Sequence, residues 1–309
     1  MAQLSFDFTT VDVFSDSRFA GNPLAIVHVP DQYSSLLTQQ RKQLIAREFN
    51  FSETVFFHAN DAKTTPQATI DIFTTTEELP FAGHPTIGSA CYLMSRATDM
   101  AAQRGIIITK SGAISITYDR HTGLSSAQLP HNVHIHSNRA SLSDIIQVQP
   151  DLVAFKSQLP STFPVVSIVK GMTFALIELP DIEMLARVGL STTTLSVDLD
   201  DDWSASFVAG YFFVKEKSAG NCLTLRTRMI HGFSEDPATG SAASTLAAFL
   251  SIDAKTPNAD HEYQIVQGVE MERRSEIGLK VRTNAFGDGV DKVILSGKVV
   301  VITEGKLWC

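Results

Sequence analysis

Short runs in which apolar and polar residues alternate recur along the whole chain, and they predict β-strands bounded by glycine, proline and asparagine. In the first half the predicted strands cover residues 4–13, 24–29, 53–57, 68–73, 105–109 and 113–118, the last two as a hairpin around Ser111 and Gly112. In the second half they cover residues 165–170 and 173–179, a hairpin around Gly171, and then residues 207–214, 222–228 and 293–302.

Helical spacing of apolar residues is confined to a few segments. Residues 34–49 and 182–188 show it, and residues 85–94 and 237–250 predict two helices rich in small residues. The stripe predicted for the first of these helices consists of Leu36, Leu37, Leu44, Ile45 and Phe49. Many strands with few helices favour an α+β fold over alternating βαβ units.

An internal repeat links the two small-residue helices. Residues 84–90 (His-Pro-Thr-Ile-Gly-Ser-Ala) match residues 236–242 (Asp-Pro-Ala-Thr-Gly-Ser-Ala) at the proline, glycine, serine and final alanine. Two helices that start alike, one in each half, predict a duplicated domain. The strand pattern gives way to a polar stretch near residues 127–130, which predicts one domain of residues 1–127 with a C-terminal strand at about 296–309, and another of residues 128–295.

Composition and charge exclude several classes of protein. The formal net charge of the 309 residues is -8 and the basic residues are scattered, so no nucleic-acid partner is expected. No apolar run approaches the roughly 20 residues that cross a bilayer, and residues 1–7 lack a secretory signal pattern. Cys91, Cys222 and Cys309 show no paired spacing, which argues against disulfides and a structural zinc site and favours a cytoplasmic location.

The two repeated segments carry candidate chemistry. Proline suits the first turn of a helix, and small residues around it leave the free backbone amides open to an anion. Two such helix ends could hold a substrate carboxylate and stabilise the enolate-like charge that develops when a neighbouring carbon loses a proton. His84 and Asp236 precede the two prolines, so each is expected to cap its helix and to touch substrate.

A third candidate is Glu53, directly ahead of an apolar strand, where partial burial would raise its pKa towards that of a general base. Structural interpretations remain open for every candidate. Asp236 is equally an ordinary N-cap, His84 a structural histidine and Glu53 a solvated carboxylate. The same holds for four small residues, which serve helix packing or tight turns equally well: Ser89, Ser241, Gly83 and Gly240.

With these residues assembled, the chain resembles the PhzF-like phenazine-biosynthesis family, relatives of diaminopimelate epimerase. The resemblance runs nearly end to end and includes residues 19–23 (Phe-Ala-Gly-Asn-Pro), 50–54 (Asn-Phe-Ser-Glu-Thr), 81–86 (Phe-Ala-Gly-His-Pro-Thr), 235–243 (Glu-Asp-Pro-Ala-Thr-Gly-Ser-Ala-Ala) and 267–268 (Gln-Gly). It implies two pseudo-equivalent barrel-like domains, each a curved, mostly antiparallel sheet around a central helix, with the active site between them.

The resemblance also implies roles for individual residues. Glu53 would shuttle a proton between carbons of a cyclic dihydroanthranilate-type substrate, while His84 and Asp236 hold polar groups of that substrate. The further substrate-binding residues would be Asn22 and Ser241, with the backbone amides of Gly83 and Gly240 receiving the carboxylate. No metal or organic cofactor is implied, and the expected partners are a small carboxylate-bearing substrate and a second copy of the chain in a homodimer.

Two departures from the family pattern bear on mechanism. The epimerase and proline racemase relatives use a cysteine at each helix start, whereas residues 82–85 and 236–241 contain none, which favours a single carboxylate shuttle. Residues 267–275 (Gln-Gly-Val-Glu-Met-Glu-Arg-Arg-Ser) lack the glycine–arginine–proline-like continuation that is frequent in the family, and this loop is expected to shape the cleft. The sequence therefore leaves the identity of the substrate open.

Three function classes remain at this stage. The leading hypothesis is a cofactor-independent isomerase that moves a proton on a small carboxylate-bearing substrate. The second is an amino-acid-type epimerase using Glu53 with a second acid such as Asp236, which would incorporate solvent deuterium with inversion. The third is a non-catalytic metabolite-binding or interaction protein, against which the presence of Glu53, His84 and Asp236 together argues. A serine hydrolase is disfavoured because Ser241 lacks a Gly-x-Ser-x-Gly elbow.

Overall fold

Strands dominate the computed structural model, which describes residues 4–60, 65–97, 101, 103–203, 207–216 and 220–309. In chain order the strands are β1 (Ser5–Val13), β2 (Asn22–His28), β3 (Glu53–Asn60), β4 (Gln67–Phe73), β5 (Glu78–Leu79), β6 (Arg104–Thr109), β7 (Gly112–Asp119), β8 (Leu124–Gln128), β9 (His134–Ile135), β10 (Ala140–Ser141), β11 (Thr162–Phe163), β12 (Val165–Val169), β13 (Met172–Glu178), β14 (Phe207–Lys215), β15 (Cys222–His231), β16 (Ser234–Asp236), β17 (Asp260–Gln267), β18 (Ser275–Thr283), β19 (Val290–Gly297) and β20 (Val299–Trp308). The helices are α1 (Gln39–Phe49), α2 (Gly83–Ser95), α3 (Leu142–Val148), α4 (Ile182–Arg187) and α5 (Gly240–Asp253), with 3-10 helices at Asp31–Leu36 and Pro150–Gln158.

The chain divides into two compact units. The first comprises residues 1–129 with 295–309, and the second comprises residues 130–294. The sequence placed the corresponding bounds at 1–127 with about 296–309, and at 128–295. Sheets with few helices make up both units, as the predicted α+β class requires.

In the first unit, β1 pairs antiparallel with β2 and β20, and β2 then runs parallel to β3. The order continues with β4 antiparallel to β3 and β6 parallel to β4. β7 is then antiparallel to β6, and β8 is antiparallel to β7. Helix α2 packs against these strands and is buried over nearly its whole length. Gly88 permits the close approach, because a Cβ there would lie 2.5 Å from the Leu24 side chain.

The second unit repeats this pairing order. β12 pairs antiparallel with β13, β13 runs parallel to β14, β15 is antiparallel to β14, β17 runs parallel to β15, and β18 is antiparallel to β17. The buried helix α5 packs against β12, β13, β17 and β18. A short strand also precedes each buried helix, β5 beside β4 and β16 beside β15. The shared order supports the predicted duplication.

The predicted helix over residues 34–49 is wrong in its first third. Thr38 begins α1 as its N-cap, with its hydroxyl oxygen accepting a hydrogen bond from the Arg41 amide at 3.4 Å, and the preceding turn is a separate 3-10 helix. The predicted apolar stripe is also interrupted. Leu37 is buried against the sheet, whereas Leu36 and Leu44 are more than half exposed.

The helix predicted from residue 237 begins three residues later. Asp236 ends β16, and α5 begins at Gly240, so Pro237 lies ahead of the helix rather than in its first turn. Helix α2 instead begins at Gly83, one residue before His84. The matched sequence segments therefore enter their helices at different points, although the units that contain them share one strand order.

Several elements were absent from the sequence-based prediction, chiefly β8, β17, β18 and α3. In α3, Ser141 and Asp144 form a reciprocal capping box, a signal that the sequence does contain. Among the described residues, no helix combines the length and the apolar character needed to span a bilayer.

Candidate active site

Glu53 stands at the point where α1 gives way to β3. Asn50 ends α1 in the left-handed conformation, with φ of 53°, and turns the chain into the strand. Because β2 runs parallel to β3 and pairs Leu24 with Glu53, the buried Asn22 at the start of β2 lies beside the same strand end. The Ser52 hydroxyl donates to Asn22 Oδ1 at 3.4 Å, so Asn22 and Glu53 share one local framework.

The structure places the predicted residues Glu53 and His84 next to each other. His84 is the second residue of α2 and only 5% exposed, and its Nδ1 lies 3.4 Å from Glu53 Oε2. This separation exceeds ordinary hydrogen-bond lengths. Glu53 Oε2 is shielded from solvent and receives no hydrogen bond from any described residue, while the whole side chain is 17% exposed. The carboxylate is thus buried without a cation or donor that fully compensates it.

Burial raises the pKa of Glu53 to about 7, and a hydrogen bond from Ser52 opposes the rise only in part. The ordinary value is 4.5. Near neutral pH the carboxyl group therefore holds its proton in an appreciable fraction of molecules and lacks it in the rest. A group that exchanges a proton with a substrate works best in this range, since both forms are accessible during one turnover.

The N-terminus of α2 lies in the same unit as Glu53. Ala82 is its N-cap residue, in extended conformation and without a side-chain cap, so the expectation that His84 caps this helix is wrong. The reason is that the helix begins at Gly83, two residues earlier than the start at Pro85 that the repeat suggested. Gly83 is buried at the first helical position, where backbone amides have no partner within the helix and favour an anion.

Asp236 belongs to the second unit and does not cap its helix directly. Its Oδ2 accepts a hydrogen bond of 2.6 Å from the hydroxyl of Thr239, and Thr239 is the N-cap residue of α5. The prediction of a direct cap is wrong because β16 ends at Asp236, which leaves three residues between it and the helix. Gly240 and Ser241 are the first two residues of α5, the former buried and the latter half-buried.

A buried hydrogen-bond network fixes the segment that carries Asp236. Gln267, at the end of β17, donates from Nε2 to the backbone oxygen of Asp236 at 2.7 Å and to Thr239 Oγ1 at 3.0 Å. Its Oε1 accepts from the hydroxyl of Tyr211 at 3.1 Å, and the same hydroxyl contacts Thr227 Oγ1 at 3.0 Å. Each of these polar groups is satisfied, so the network orients Asp236 and the start of α5 together.

Gly268 also helps to hold the segment that carries Asp236, because it lets the loop after β17 pack against that segment. Its φ is +72°, and a Cβ there would lie 2.6 Å from the backbone oxygens of both Pro237 and Arg273. Only glycine allows the loop after β17 to approach the Asp236–Pro237 backbone so closely. The sequence indicated Gln267 and Gly268 as one motif but gave no sign of Tyr211, Thr227 or Thr239, since their contacts join strands that are distant in the chain.

The structure thus brings together some of the predicted site residues. Within the first unit it joins Glu53 and His84 directly, and Asn22 through Ser52, with Gly83 beginning the helix that carries His84. Within the second unit it groups the remaining predicted residues, Asp236, Gly240 and Ser241, around the Gln267 network. The roles assigned to all of these residues towards a substrate stay predictions.

Comparison with known proteins gives consistent matches over nearly the whole chain. The family model described as phenazine biosynthesis-like protein (PhzC-PhzF) matches residues 11–305. An uncharacterised isomerase of Mesorhizobium japonicum is 30% identical over 98% of both chains. The trans-2,3-dihydro-3-hydroxyanthranilate isomerase of Pseudomonas aeruginosa is 29% identical, covering 97% of this chain and 99% of that protein.

Solved structures agree on the fold. A PhzF-family protein of Bacillus anthracis has a TM-score of 0.71 at 17% identity, covering 98% of this chain and 99% of the other. A hydroxyproline epimerase of Agrobacterium vitis has a TM-score of 0.59 at 13% identity, with coverage of 100% and 92%. Both the predicted resemblance and the epimerase-like fold are confirmed. The chain belongs to the phenazine biosynthesis-like PhzC-PhzF family and is an isomerase.

Proposed function

We propose that this isomerase moves a proton between two carbons of a small carboxylate-bearing substrate, with Glu53 as the single general acid and base and no cofactor. The observation that carries the proposal is the state of Glu53, a largely buried carboxyl group whose pKa burial raises to about 7 beside His84. A carboxylate kept only for structure would be expected to have a hydrogen-bond donor or cation that compensates its burial.

The proton shift balances without an oxidant or a second acid. The Glu53 carboxylate takes a proton from a substrate C–H bond, and the electron pair of that bond delocalises into an adjacent double bond conjugated with the substrate carboxylate. Glu53, now a neutral acid, returns the proton to a different carbon as the electron pair settles there. The substrate leaves as an isomer, and Glu53 ends as the carboxylate with which it began.

Support for the anionic intermediate is proposed to come from α2. Gly83 lies in the first turn, where backbone amides and the helix dipole favour negative charge, and His84 follows it beside the base. A substrate carboxylate bound at this end would place neighbouring carbons near Glu53. In this proposal His84 holds a polar group of the substrate.

The proposed substrate class follows from the relatives. The proteins of Pseudomonas aeruginosa and Pseudomonas chlororaphis are named trans-2,3-dihydro-3-hydroxyanthranilate isomerase, and they are 29% and 30% identical to this chain. We propose that the substrate of this chain is a cyclic, unsaturated carboxylate of that kind. The absence of cysteines from residues 82–85 and 236–241 supports one carboxylate base over a two-thiol racemase.

The test measures isomerisation of trans-2,3-dihydro-3-hydroxyanthranilate and proton exchange into it, in H2O and in D2O. Wild type is compared with Glu53→Gln, which keeps the shape of the side chain but cannot accept a proton. Glu48→Gln is the matched control, since Glu48 is exposed on α1 in the same unit. General acid–base groups contribute about 100- to 10,000-fold, so Glu53→Gln is expected to lose that much rate while Glu48→Gln keeps the wild-type rate.

Retention of the wild-type rate by Glu53→Gln would exclude Glu53 as the shuttle. If wild type neither converts nor exchanges protons with this compound or other cyclic unsaturated carboxylates, the proposed substrate class is wrong. Deuterium incorporation with inversion at one carbon, and no migration of a double bond, would instead establish the epimerase hypothesis.

A further inference from the structure

A cluster of metal-ligating side chains lies in the second unit, among residues to which the proposed reaction assigns no role. His134 and His136 are separated by one residue at β9, so their side chains point to the same side of the strand. Asp200 joins them from a segment more than sixty residues further along the chain. One ligand atom from each of the three side chains lies within 4.8 Å of the other two.

Two distances define the cluster. His134 Nε2 lies 2.8 Å from Asp200 Oδ2, and His136 Nδ1 lies 3.9 Å from the same oxygen. Ligand atoms about 2.0–2.2 Å from one zinc-like ion are separated by roughly 3.3 Å in a tetrahedral arrangement. Small side-chain adjustments would therefore bring all three atoms onto one ion.

The hydrogen bonds of His136 assign its tautomer. The Asp200 amide donates to Nδ1 at 3.2 Å, which requires a lone pair on Nδ1 and places the ring proton on Nε2. Nε2 then donates to the hydroxyl oxygen of Ser167 at 2.8 Å, and that hydroxyl contacts Thr173 Oγ1 at 2.7 Å. A metal-bound histidine characteristically donates its second ring N–H in this way, and an ion at Nδ1 would take the place of the hydrogen bond from the Asp200 amide.

Asp200 is held with one oxygen directed to the histidines. The Ser137 hydroxyl donates to Oδ1 and the Ser137 amide lies 3.1 Å from both oxygens, while Oδ2 is the oxygen that faces His134 and His136. Oδ2 is thus the carboxylate oxygen that faces both histidines, the arrangement of a monodentate ligand.

His134 is oriented by stacking. Its ring lies parallel to the indole of Trp203, with centroids 4.5 Å apart and an interplanar angle of 11°. Its side chain is 33% exposed and that of Asp200 is 23% exposed, so an ion has access from solvent. Each of the three ligands therefore has its own orienting contact, although the three come from two segments of the chain.

We propose that His134, His136 and Asp200 bind one borderline divalent metal ion, such as Zn²⁺, Co²⁺ or Ni²⁺, with solvent completing its coordination. Two imidazoles and one carboxylate suit these ions better than Mg²⁺ or Ca²⁺, which require oxygen ligands. The ion takes the place of the hydrogen bond between His134 and Asp200. It fastens the segment around Asp200 to β9, and it takes no part in the chemistry at Glu53.

The cysteine spacing gave no reason to expect such a site. That reasoning concerned structural sites built on thiolates, whereas this cluster contains none. His134 and His136 alone are a weak signal, since Asp200 joins them only through the fold.

The test is isothermal titration of metal-free wild type with Zn²⁺. We expect saturable binding of one ion per chain, and a loss of affinity of at least ~100-fold in both His134→Gln and Asp200→Asn, because losing a ligand costs more than the 10- to 100-fold typical of an outer hydrogen bond. Ser167→Ala removes only the partner of His136 and is expected to weaken binding by about 10- to 100-fold. His121→Gln is the matched control, since His121 is an exposed histidine outside the cluster.

A second measurement locates the ion independently of its stoichiometry. Trp203 stacks on His134, whereas Trp308 lies on β20 in the other unit. In Trp308→Phe, Trp203 is the single tryptophan, and Ni²⁺ is expected to quench its emission with the same saturation curve as a calorimetric titration of that variant with Ni²⁺. The proposal is overturned if wild type binds no ion saturably, if His134→Gln and Asp200→Asn bind as wild type does, or if Ni²⁺ leaves the Trp203 emission unchanged.

Discussion

Replacing Glu53 with glutamine is expected to stabilise the protein, and the gain is expected to grow with pH. Burial raises the pKa of this carboxyl group from an ordinary 4.5 to about 7, which means that the folded state binds the proton more tightly than the unfolded state does. Wild-type stability therefore includes a contribution that is complete below pH 4.5 and is lost as the pH rises to 7. Glutamine resembles the neutral acid at every pH and avoids this loss.

The magnitude follows from the two pKa values. Each pKa unit corresponds to about 1.4 kcal/mol, so the rise from 4.5 to about 7 amounts to roughly 3 kcal/mol above pH 7. The side chain is 17% exposed, so solvent screening reduces this figure only modestly. We therefore expect Glu53→Gln to exceed wild type by up to about 3 kcal/mol at pH 8.5 and to match it closely at pH 4.5.

The assay is urea unfolding at half-unit intervals between pH 4.5 and 8.5, followed by far-UV circular dichroism. All other titrating groups are common to the two proteins, so the difference in free energy of unfolding isolates Glu53. Glu48→Gln, which changes an exposed carboxylate on α1, is expected to differ from wild type by no more than about 0.5 kcal/mol at any pH.

A difference between Glu53→Gln and wild type that stays constant with pH would refute the reasoning, whatever its sign. A constant gain would mean that glutamine packs or hydrogen-bonds better there. A constant loss would mean that the ionised carboxylate is compensated in the folded protein. In either case burial would not be what sets the proton affinity of Glu53.

Three further predictions concern the proposed reaction and the support of Asp236. Because Glu53 must be ionised to accept a proton, kcat/KM is expected to fall about tenfold per pH unit below pH 7, and a pH–rate profile that bends near 4.5 instead would contradict this. Gln267→Leu removes the buried side chain that donates to the Asp236 backbone oxygen and accepts from the Tyr211 hydroxyl, which keeps Thr227 as a partner, and urea unfolding is expected to show a loss of roughly 1–3 kcal/mol; a neutral result would mean that the network is dispensable. Gly268→Ala is expected to cost about 1–3 kcal/mol more than Gly123→Ala, which has the same φ of +72° but open space around its Cβ, and equal losses would show that the contact with Pro237 adds nothing.

Local signals account for the parts of the fold that the sequence predicted. The hairpin around Gly171 was predictable because apolar alternation on both sides meets a glycine, whose φ is +87° in the structure. The alternation of β18 was present too, since every second residue from Ser275 to Thr283 is buried, yet it was not recognised. The failure at residues 34–49 has a different cause. Thr38 competes as an N-cap, and a continuous apolar stripe does not reveal where a cap interrupts it.

In the candidate site, too, local sequence signals identified some residues but not the contacts between them. Glu53 was a candidate because partial burial ahead of an apolar strand would raise its pKa, although a solvated carboxylate is common at such a position, and its place beside His84 in one site followed from the resemblance rather than from spacing. The contacts of Gln267 with Asp236 and Tyr211 join residues 31 and 56 positions away along the chain, and no local pattern contains them. The same reason concealed Asp200 as the partner of His134. Chemistry-bearing residue types can be read from the sequence, whereas the contacts that tune them arise from strand pairing.

Comparison of the two units by helix start gives a clearer account of the duplication than the sequence match did. Helices α2 and α5 begin at Gly83 and Gly240, so the next residues, His84 and Ser241, correspond in position, and Asp236 has its counterpart near β5 rather than at His84. The strand that corresponds to β3 is β14, and it begins with Phe207 where β3 begins with Glu53. Among the described residues, the duplicated fold therefore supplies two similar helix ends but a carboxyl group at the start of just one of these two strands, which supports the proposed shuttle with a single base.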